Sequence, residues 1–93
     1  MKKQLQQQNE KLLGQLEELA ENLGIEVRFE KLKKESTFFP GGLCKVKGED
    51  IIIINSSTPI EDKIEILGRA LSPLDLSQIY VLPALRELLD SLS

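Results

Sequence analysis

The fold is decided by residues 42–54, which read GLCKVKGEDIIII. Apolar and charged residues alternate over 43–47, which is typical of a strand with two unlike faces. Residues 48–50 give a turn signal, and the isoleucines that follow at 51–54 do not alternate. A continuous apolar run of this kind predicts a central strand that is covered on both faces. The stretch therefore predicts a hairpin whose second strand lies inside a small sheet.

Upstream of the hairpin, the sequence predicts one helix and one further strand. Residues 25–30 alternate cleanly between apolar and charged, as in a strand with one buried face. Before them, leucines at spacings of seven, four, three and four form one stripe of an amphipathic helix that Gly24 ends. The leucines of this stripe are Leu5, Leu12, Leu16, Leu19 and Leu23.

Downstream of the hairpin, the sequence predicts two or three helices. Thr58, Pro59 and Glu61 have the spacing of a capping box, with Thr58 as the cap of a helix that Pro73 ends. Residues 75–78 carry a second cap signature that predicts a short helical turn, and Pro83 begins the last helix. We therefore expect an α+β fold, with a long N-terminal helix, a three-stranded small sheet with a hairpin, and two or three C-terminal helices.

The length of 93 residues predicts one domain with one modest core. We divide it into the N-terminal helix, 1–23, which partly overhangs, and a compact α+β body, 24–93. The single cysteine, Cys44, excludes an intrachain disulfide, and the basic start lacks the apolar run of a signal peptide. The longest aliphatic run, 51–54, is far below the roughly 20 residues that span a bilayer. We expect a cytoplasmic protein that does not enter membranes.

The residue types for most catalytic and metal chemistry are missing. The chain has no histidine, which excludes histidine-based acid–base catalysis and the commonest metal ligand. One cysteine cannot build a structural zinc site, and we expect Cys44 to be a small buried apolar side chain. Six carboxylates fall on solvent-facing helical positions, where solvated charges are the ordinary interpretation: Glu17, Glu18, Glu21, Glu61, Asp62 and Glu65. We therefore expect no catalytic residue, no metal and no cofactor, and an enzyme that uses Cys44 or carboxylates is the least favoured function.

Two interpretations of the N-terminal helix remain open. The leucine stripe fits a heptad in which Asn9 occupies an a position, and a lone asparagine there fixes the register of paired helices. In that case the chain is a homodimer. Alternatively, residues 12–23 cover the chain's own sheet and the glutamine-rich start extends beyond it. Three heptads are short, which favours the second interpretation. The dimerisation residues of the first would be Leu5, Asn9, Leu12 and Leu16.

Two further clusters are candidate binding sites. Phe38 and Phe39 lie beside Lys33 and Lys34, where they either plug the open end of the core, which we favour, or anchor a protein partner. Residues 28–47 carry six basic residues against two acidic ones, whereas the rest of the chain carries six against thirteen. A local basic patch could contact nucleic acid, although a net charge of −3 argues against general binding. This patch comprises Arg28, Lys31, Lys45 and Lys47.

Residues 42–59 carry two resemblances. The Gly-Gly-Leu-Cys hairpin, with the Pro-Ala-Leu-Arg-Glu-Leu run at 83–88, resembles a set of short uncharacterised bacterial proteins. More distantly, strands ending in Asn55 before a capped helix resemble the small zinc peptidases (gluzincins) that cleave phage-type repressors. The ligand positions that this resemblance implies are Arg69 and Pro73, and the general-base position is Ala70. None of these side chains can perform those roles.

The gluzincin resemblance and the missing chemistry favour one function over the others, whereas the resemblance to the uncharacterised bacterial proteins implies no activity. The gluzincin resemblance implies a catalytically dead peptidase-like domain that would keep an extended partner peptide at a sheet edge. We therefore expect a non-enzymatic protein-interaction or regulatory module whose protein partner is not identified by the sequence. The alternative is a nucleic-acid-associated protein that uses the basic patch.

Overall fold

A computed structural model describes residues 2–31 and 41–92 of the chain, without the side chains of residues 2–5. It confirms the α+β prediction: an N-terminal helix precedes three strands of one sheet, and helices follow them. The elements are α1 (Lys2–Asn22), β1 (Glu26–Glu30), β2 (Gly41–Val46), β3 (Glu49–Asn55), α2 (Ile60–Leu71) and α3 (Pro83–Leu92). Within the described ranges, none of the helices has the length and apolar character needed to cross a membrane.

The sheet has the strand order β1-β3-β2, so β3 lies in the centre as the isoleucine run predicts. β2 pairs antiparallel with β3, and β1 pairs parallel with it. Val27 of β1 and Leu43 of β2 both lie opposite Ile52, so these three side chains share one face. That register places Arg28, Cys44 and Ile53 on the opposite face.

The hairpin turn is shorter than the turn signal suggests. Lys47 and Gly48 alone connect the strands, with φ angles of 52° and 84°. Two consecutive positive φ angles are the geometry of a type I′ turn, whose twist matches that of the flanking strands. Glu49 and Asp50 therefore belong to β3, where they pair with Val46 and Lys45. The predicted turn at 48–50 is corrected to 47–48.

The core lies on the face of the sheet that carries Ile52 and Ile54. Both isoleucines are fully buried in an apolar cluster, against which Val27 and Phe29 of β1 pack. Ile25 and Val81, which lie between elements, are also buried in this cluster. The helices supply its other buried side chains, namely Leu16, Leu19, Ala20, Ile64, Leu67, Leu71, Leu85 and Leu89. Ile51, on the opposite face, is buried but lies outside the cluster.

Among the described side chains of α1, the fully buried ones lie in its C-terminal half. Leu16, Leu19 and Ala20 are buried, whereas Gln6, Gln7 and Gln8 are exposed. The helix ends at Asn22, and Gly24 follows it as the predicted terminating residue, with a φ of 77°. The N–H groups of Gly24 and Ile25 donate to the carbonyls of Glu21 and Ala20, both at 2.9 Å, which is a Schellman motif.

The predicted capping box at the start of α2 is wrong. Pro59 occupies the N-cap position, and no side chain caps the helix. Thr58 is buried, and its hydroxyl has no hydrogen-bond partner among the described residues. The preceding turn is held instead by Asn55, whose Oδ1 accepts hydrogen bonds from the Ser57 N–H at 3.1 Å and the Ser57 hydroxyl at 2.8 Å. The Thr58 N–H donates to the Asn55 carbonyl at 3.0 Å.

The predicted short helix between α2 and α3 is a pair of turns. The Asp75 carboxylate accepts a hydrogen bond from the Ser77 N–H at 3.0 Å, which lowers the pKa of Asp75, and the Ile79 N–H donates to the Leu76 carbonyl at 3.1 Å. An Asx turn of this kind offers the backbone an alternative to a helix. Pro83 begins α3 as predicted.

Candidate interaction surfaces

β2 forms one edge of the sheet and presents large apolar side chains to solvent. Leu43 is 48% exposed and Val46 is 39% exposed. The register places Leu43 on the core face and Val46 on the opposite face. None of the described side chains of β2 belongs to the apolar cluster. In the described part of the chain, β3 is the only strand that pairs with β2, so its outer row of N–H and C=O groups has no strand partner.

β1 forms the other edge of the sheet, and its side chains either pack against the core or form an ion pair. Val27 and Phe29 pack against the core, and the Lys63 ammonium lies 5.5 Å from the centre of the Phe29 ring. On the opposite face the Arg28 Nε donates to the Glu26 carboxylate at 2.7 Å. This hydrogen bond is the main cause that lowers the pKa of Glu26 and raises the pKa of Arg28. Charged residues and packed apolar residues are how edge strands resist pairing.

The predicted basic patch is not one surface. Arg28 and Lys45 lie on opposite edge strands and on opposite faces of the sheet. Arg28 is paired with Glu26, and the Lys45 ammonium lies 3.7 Å from Asp50. Lys31 follows β1 and is exposed, and Lys47 occupies the hairpin turn. The structure therefore separates these four cations instead of collecting them into one phosphate-binding face.

The predicted dimerisation stripe on α1 is divided by the fold. Leu16 is fully buried in the chain's own core and is not available to a second chain in this conformation. Leu12 packs partly against the same core, and Asn9 is half-buried. The side chain of Leu5 lies outside the described part. Residues 12–22 thus do what the second interpretation of the helix expects, because they cover the core.

The predicted aromatic site lies outside the described residues. Phe38 and Phe39, with Lys33 and Lys34, fall within 32–40. Their two interpretations, as a plug of the core or as an anchor for a partner, stay predictions.

The positions that the gluzincin resemblance implies are not arranged as a metal site. α2 ends at Leu71, so Pro73 lies beyond the helix and does not share a helical face with Arg69. The Arg69 guanidinium donates to the Glu65 carboxylate at 2.9 Å and to the Leu92 carbonyl at 3.4 Å. Among the described residues, no three His, Cys, Asp or Glu side chains lie close enough together to hold a metal ion.

An open groove of about 270 Å³ lies along the outer side of α2. Asp62, Glu65, Ile66 and Arg69 line it from the helix, and Thr58 lines it from the preceding turn. The Thr58 hydroxyl has almost no accessible surface, so it does not offer a hydrogen bond to a molecule in the groove. The two carboxylates and the paired arginine leave no free cationic side chain for an anion there.

Cys44 lies on the face of the sheet opposite the core cluster. Its thiol is half-buried, not fully buried as expected, with Sγ 3.8 Å from the Gly42 carbonyl oxygen. Its register partner is Ile51.

Sequence reasoning missed the segment between the turns at 77–78 and α3. Tyr80 is 78% exposed and Leu82 is 42% exposed, although both are large and apolar for most of their surface. The available signal was the run Ile-Tyr-Val-Leu at 79–82, since residues of these types favour strands.

Comparisons with known proteins give no relative. No protein-family model matches the chain, no curated protein matches it, and no solved structure matches it.

Proposed function

We propose that this chain is a non-enzymatic protein-interaction module that binds an extended segment of a partner at the free edge of β2. The observation that carries the proposal is that two features occur together on β2. In the described part of the chain its outer edge pairs with no strand, and its side chains Leu43 and Val46 are exposed. Strand addition draws its affinity from backbone hydrogen bonds and its specificity from side chains on alternate positions. Both kinds of contact are present at this edge.

The position of the two side chains supports this mode of binding. Leu43 lies on the core face and Val46 on the opposite face, so a strand added to β2 would have one apolar neighbour on each face. The cross-strand pair Lys45–Asp50 lies between them, with both side chains largely exposed, and contributes little to stability. An exposed apolar edge of this kind is an aggregation hazard unless a partner covers it.

The non-enzymatic part of the proposal rests on residue chemistry. The chain has no histidine, and the gluzincin resemblance places Arg69, Ala70 and Pro73 where two metal ligands and a base would be. A peptidase-like ancestor that lost this motif would retain the sheet edge at which such enzymes hold a peptide. The proposal is therefore a pseudoenzyme with a retained peptide-binding edge.

The test compares two exposed apolar residues, one on the edge of β2 and one on α3. The tagged wild-type chain and the variants Leu43→Asp and Ala84→Asp are each used to purify partners from the cells that produce the protein. The affinity of any captured partner is then measured by calorimetry. We expect Leu43→Asp to lower that affinity at least tenfold, because aspartate places a charge in the strand interface. Ala84→Asp, which lies on neither proposed binding surface, should remain within about twofold of wild type.

Circular dichroism melts of both variants establish that they fold. If Leu43→Asp retains the same proteins with the same affinity as wild type, the edge of β2 is not the binding surface and the proposal fails.

A further inference from the structure

The segment 79–82 has the character of a strand without a sheet. Its residues alternate in burial: Tyr80 is 78% exposed, Val81 is 7% exposed, and Leu82 is 42% exposed. Alternation with a period of two is the mark of an extended chain with one face buried. The segment is neither helix nor strand, because in the described part of the chain no other strand lies beside it.

The backbone N–H groups within this segment are also available for hydrogen bonding. Among the described residues, no backbone hydrogen bond is donated by the N–H groups of Tyr80, Val81 or Leu82. At the two ends of the segment, the Ile79 N–H donates to the Leu76 carbonyl in a turn, and the Leu82 carbonyl accepts from the Arg86 N–H in the first turn of α3. Backbone N–H groups are obligatory hydrogen-bonding groups, so they must be satisfied by water or by a bound chain.

A groove of about 380 Å³ runs beside the segment, between it and α1. Its floor is apolar and is made of Leu19, Val81 and Leu85, all buried. Its wall on α1 is polar and carries Gln15, Glu18 and Asn22 at helical spacing. None of these three side chains makes a hydrogen bond or an ion pair with another described residue. Apolar pockets with a few free polar groups are the common form of binding sites.

The charge in the groove selects the sign of its occupant. Among the described residues that line it, Glu18 is the only acidic or basic side chain, and it is exposed. The neighbouring Glu17 and Glu21 line a different groove, beside Glu26 and Val27. A second copy of the chain on a twofold axis through the groove would bring the two Glu18 carboxylates towards each other, whereas a basic partner would complement this carboxylate.

We propose that the segment 79–82 and the adjoining face of α1 bind an extended peptide that carries alternating apolar side chains and at least one lysine or arginine. The peptide accepts hydrogen bonds from the free N–H groups of residues 80–82, places an apolar side chain on the floor at Leu19 and Leu85, and sets a cation against Glu18. This surface is separate from the edge of β2, so the two proposals fail independently.

A random dodecapeptide library displayed on phage, selected on the immobilised full chain, tests the proposal. We expect the enriched sequences to alternate apolar residues and to include lysine or arginine. Calorimetry with a synthetic copy of the most enriched peptide should show affinity that falls as salt is raised, because part of it is electrostatic. Amide resonances of 15–22 and 79–82 should shift when the peptide is added.

Variants separate this site from the other surfaces of the protein. Tyr80→Ser and Glu18→Lys should each lower the affinity for the peptide at least tenfold, whereas Leu43→Asp should leave it within about twofold. Tyr80 and Glu18 are both exposed, so neither change should affect folding, and melts verify this.

Three results would overturn the proposal. The first is a selection that enriches no alternating basic sequence. The second is a peptide whose affinity depends on Leu43 and not on Tyr80. The third is a peptide-free dimer in sedimentation that Tyr80→Ser dissociates, since the occupant would then be a second copy of the chain.

Discussion

The two edge strands flank the same central strand but are integrated into the molecule in opposite ways. β1 sends Val27 and Phe29 into the core cluster and pairs its outward charges, Arg28 with Glu26. β2 adds none of its described side chains to that cluster and leaves Leu43 and Val46 exposed. Burial of apolar area is what holds an edge strand to its domain, whereas exposed apolar area on an unpaired edge favours a partner. β1 is therefore the structural edge and β2 the available one.

The largest expected difference between the two edges is in stability. Phe29→Ala should lower the free energy of unfolding by about 2–3 kcal/mol, because a partly buried ring is removed from the core. Leu43→Ala should lower it by less than about 1 kcal/mol, since half of that side chain is already in water. Urea unfolding at neutral pH measures both values. Equal losses for the two variants would mean that β2 is packed as firmly as β1.

The turn of the hairpin gives a smaller effect that concerns only the β2 side. Gly48→Ala should destabilise the protein by about 1–2 kcal/mol, because φ at this position is 84° and alanine is strained there. Lys47→Gly should stabilise it by up to about 1 kcal/mol, because lysine already tolerates a φ of 52° at a cost. The same unfolding experiment measures both changes. A stabilising Gly48→Ala would show that the connection is not a type I′ turn.

The ion pair on β1 gives the smallest effect, and its sign follows from the pKa of Glu26. The hydrogen bond from Arg28 lowers the pKa of this carboxyl in the folded state. The pair therefore contributes stability above the unfolded pKa, and that contribution is lost as the pH falls through the folded pKa. Arg28→Gln should raise the pKa of Glu26 towards its ordinary value, as measured by NMR titration of the carboxyl carbon. An unchanged pKa in Arg28→Gln would contradict the observed pairing.

Local sequence patterns predict the pairing of β2 with β3, but they do not predict the pairing of β1 with β3. The hairpin follows from alternation on either side of a turn, and its pairing is between neighbours in the chain. The parallel pairing of β1 with β3 joins Glu26 to Ile51, and no periodicity in either strand specifies that register. Its physical cause is the shared core face of Val27, Phe29, Ile52 and Ile54, which exists only once the helices cover it.

The start of α2 shows how a local signal can be overridden. Thr58 has the spacing of a cap, but Asn55 stabilises the turn that precedes the helix. The Asn55 carbonyl accepts a hydrogen bond from the Thr58 N–H, and the Asn55 side chain accepts one from the Ser57 N–H. The Thr58 hydroxyl is then buried with no hydrogen-bond partner in the described part of the chain.

The surface at 79–82 was not predictable for a related reason. The run Ile-Tyr-Val-Leu at 79–82 can be recognised in the sequence as typical of a strand. The groove beside it forms only because α1 packs next to the segment, which is a tertiary contact.

The last residue of β1 and the first residue of β2 lie at the same end of the sheet, and this arrangement has a consequence for engineering the chain. Glu30 lies opposite Asn55 and Gly41 lies opposite Ile54, so the end of β1 and the start of β2 are separated only by the width of β3. Two strand spacings are about 10 Å, whereas residues 31–40 fully extended would reach roughly 33 Å. The connection is longer than the topology requires, and doubling its length would cost only about 0.6 kcal/mol of closure entropy. A reporter sequence inserted between Lys31 and Leu32 would therefore be compatible with the pairing of both edge strands, and it would leave the candidate residues Lys33, Lys34, Phe38 and Phe39 in their own sequence.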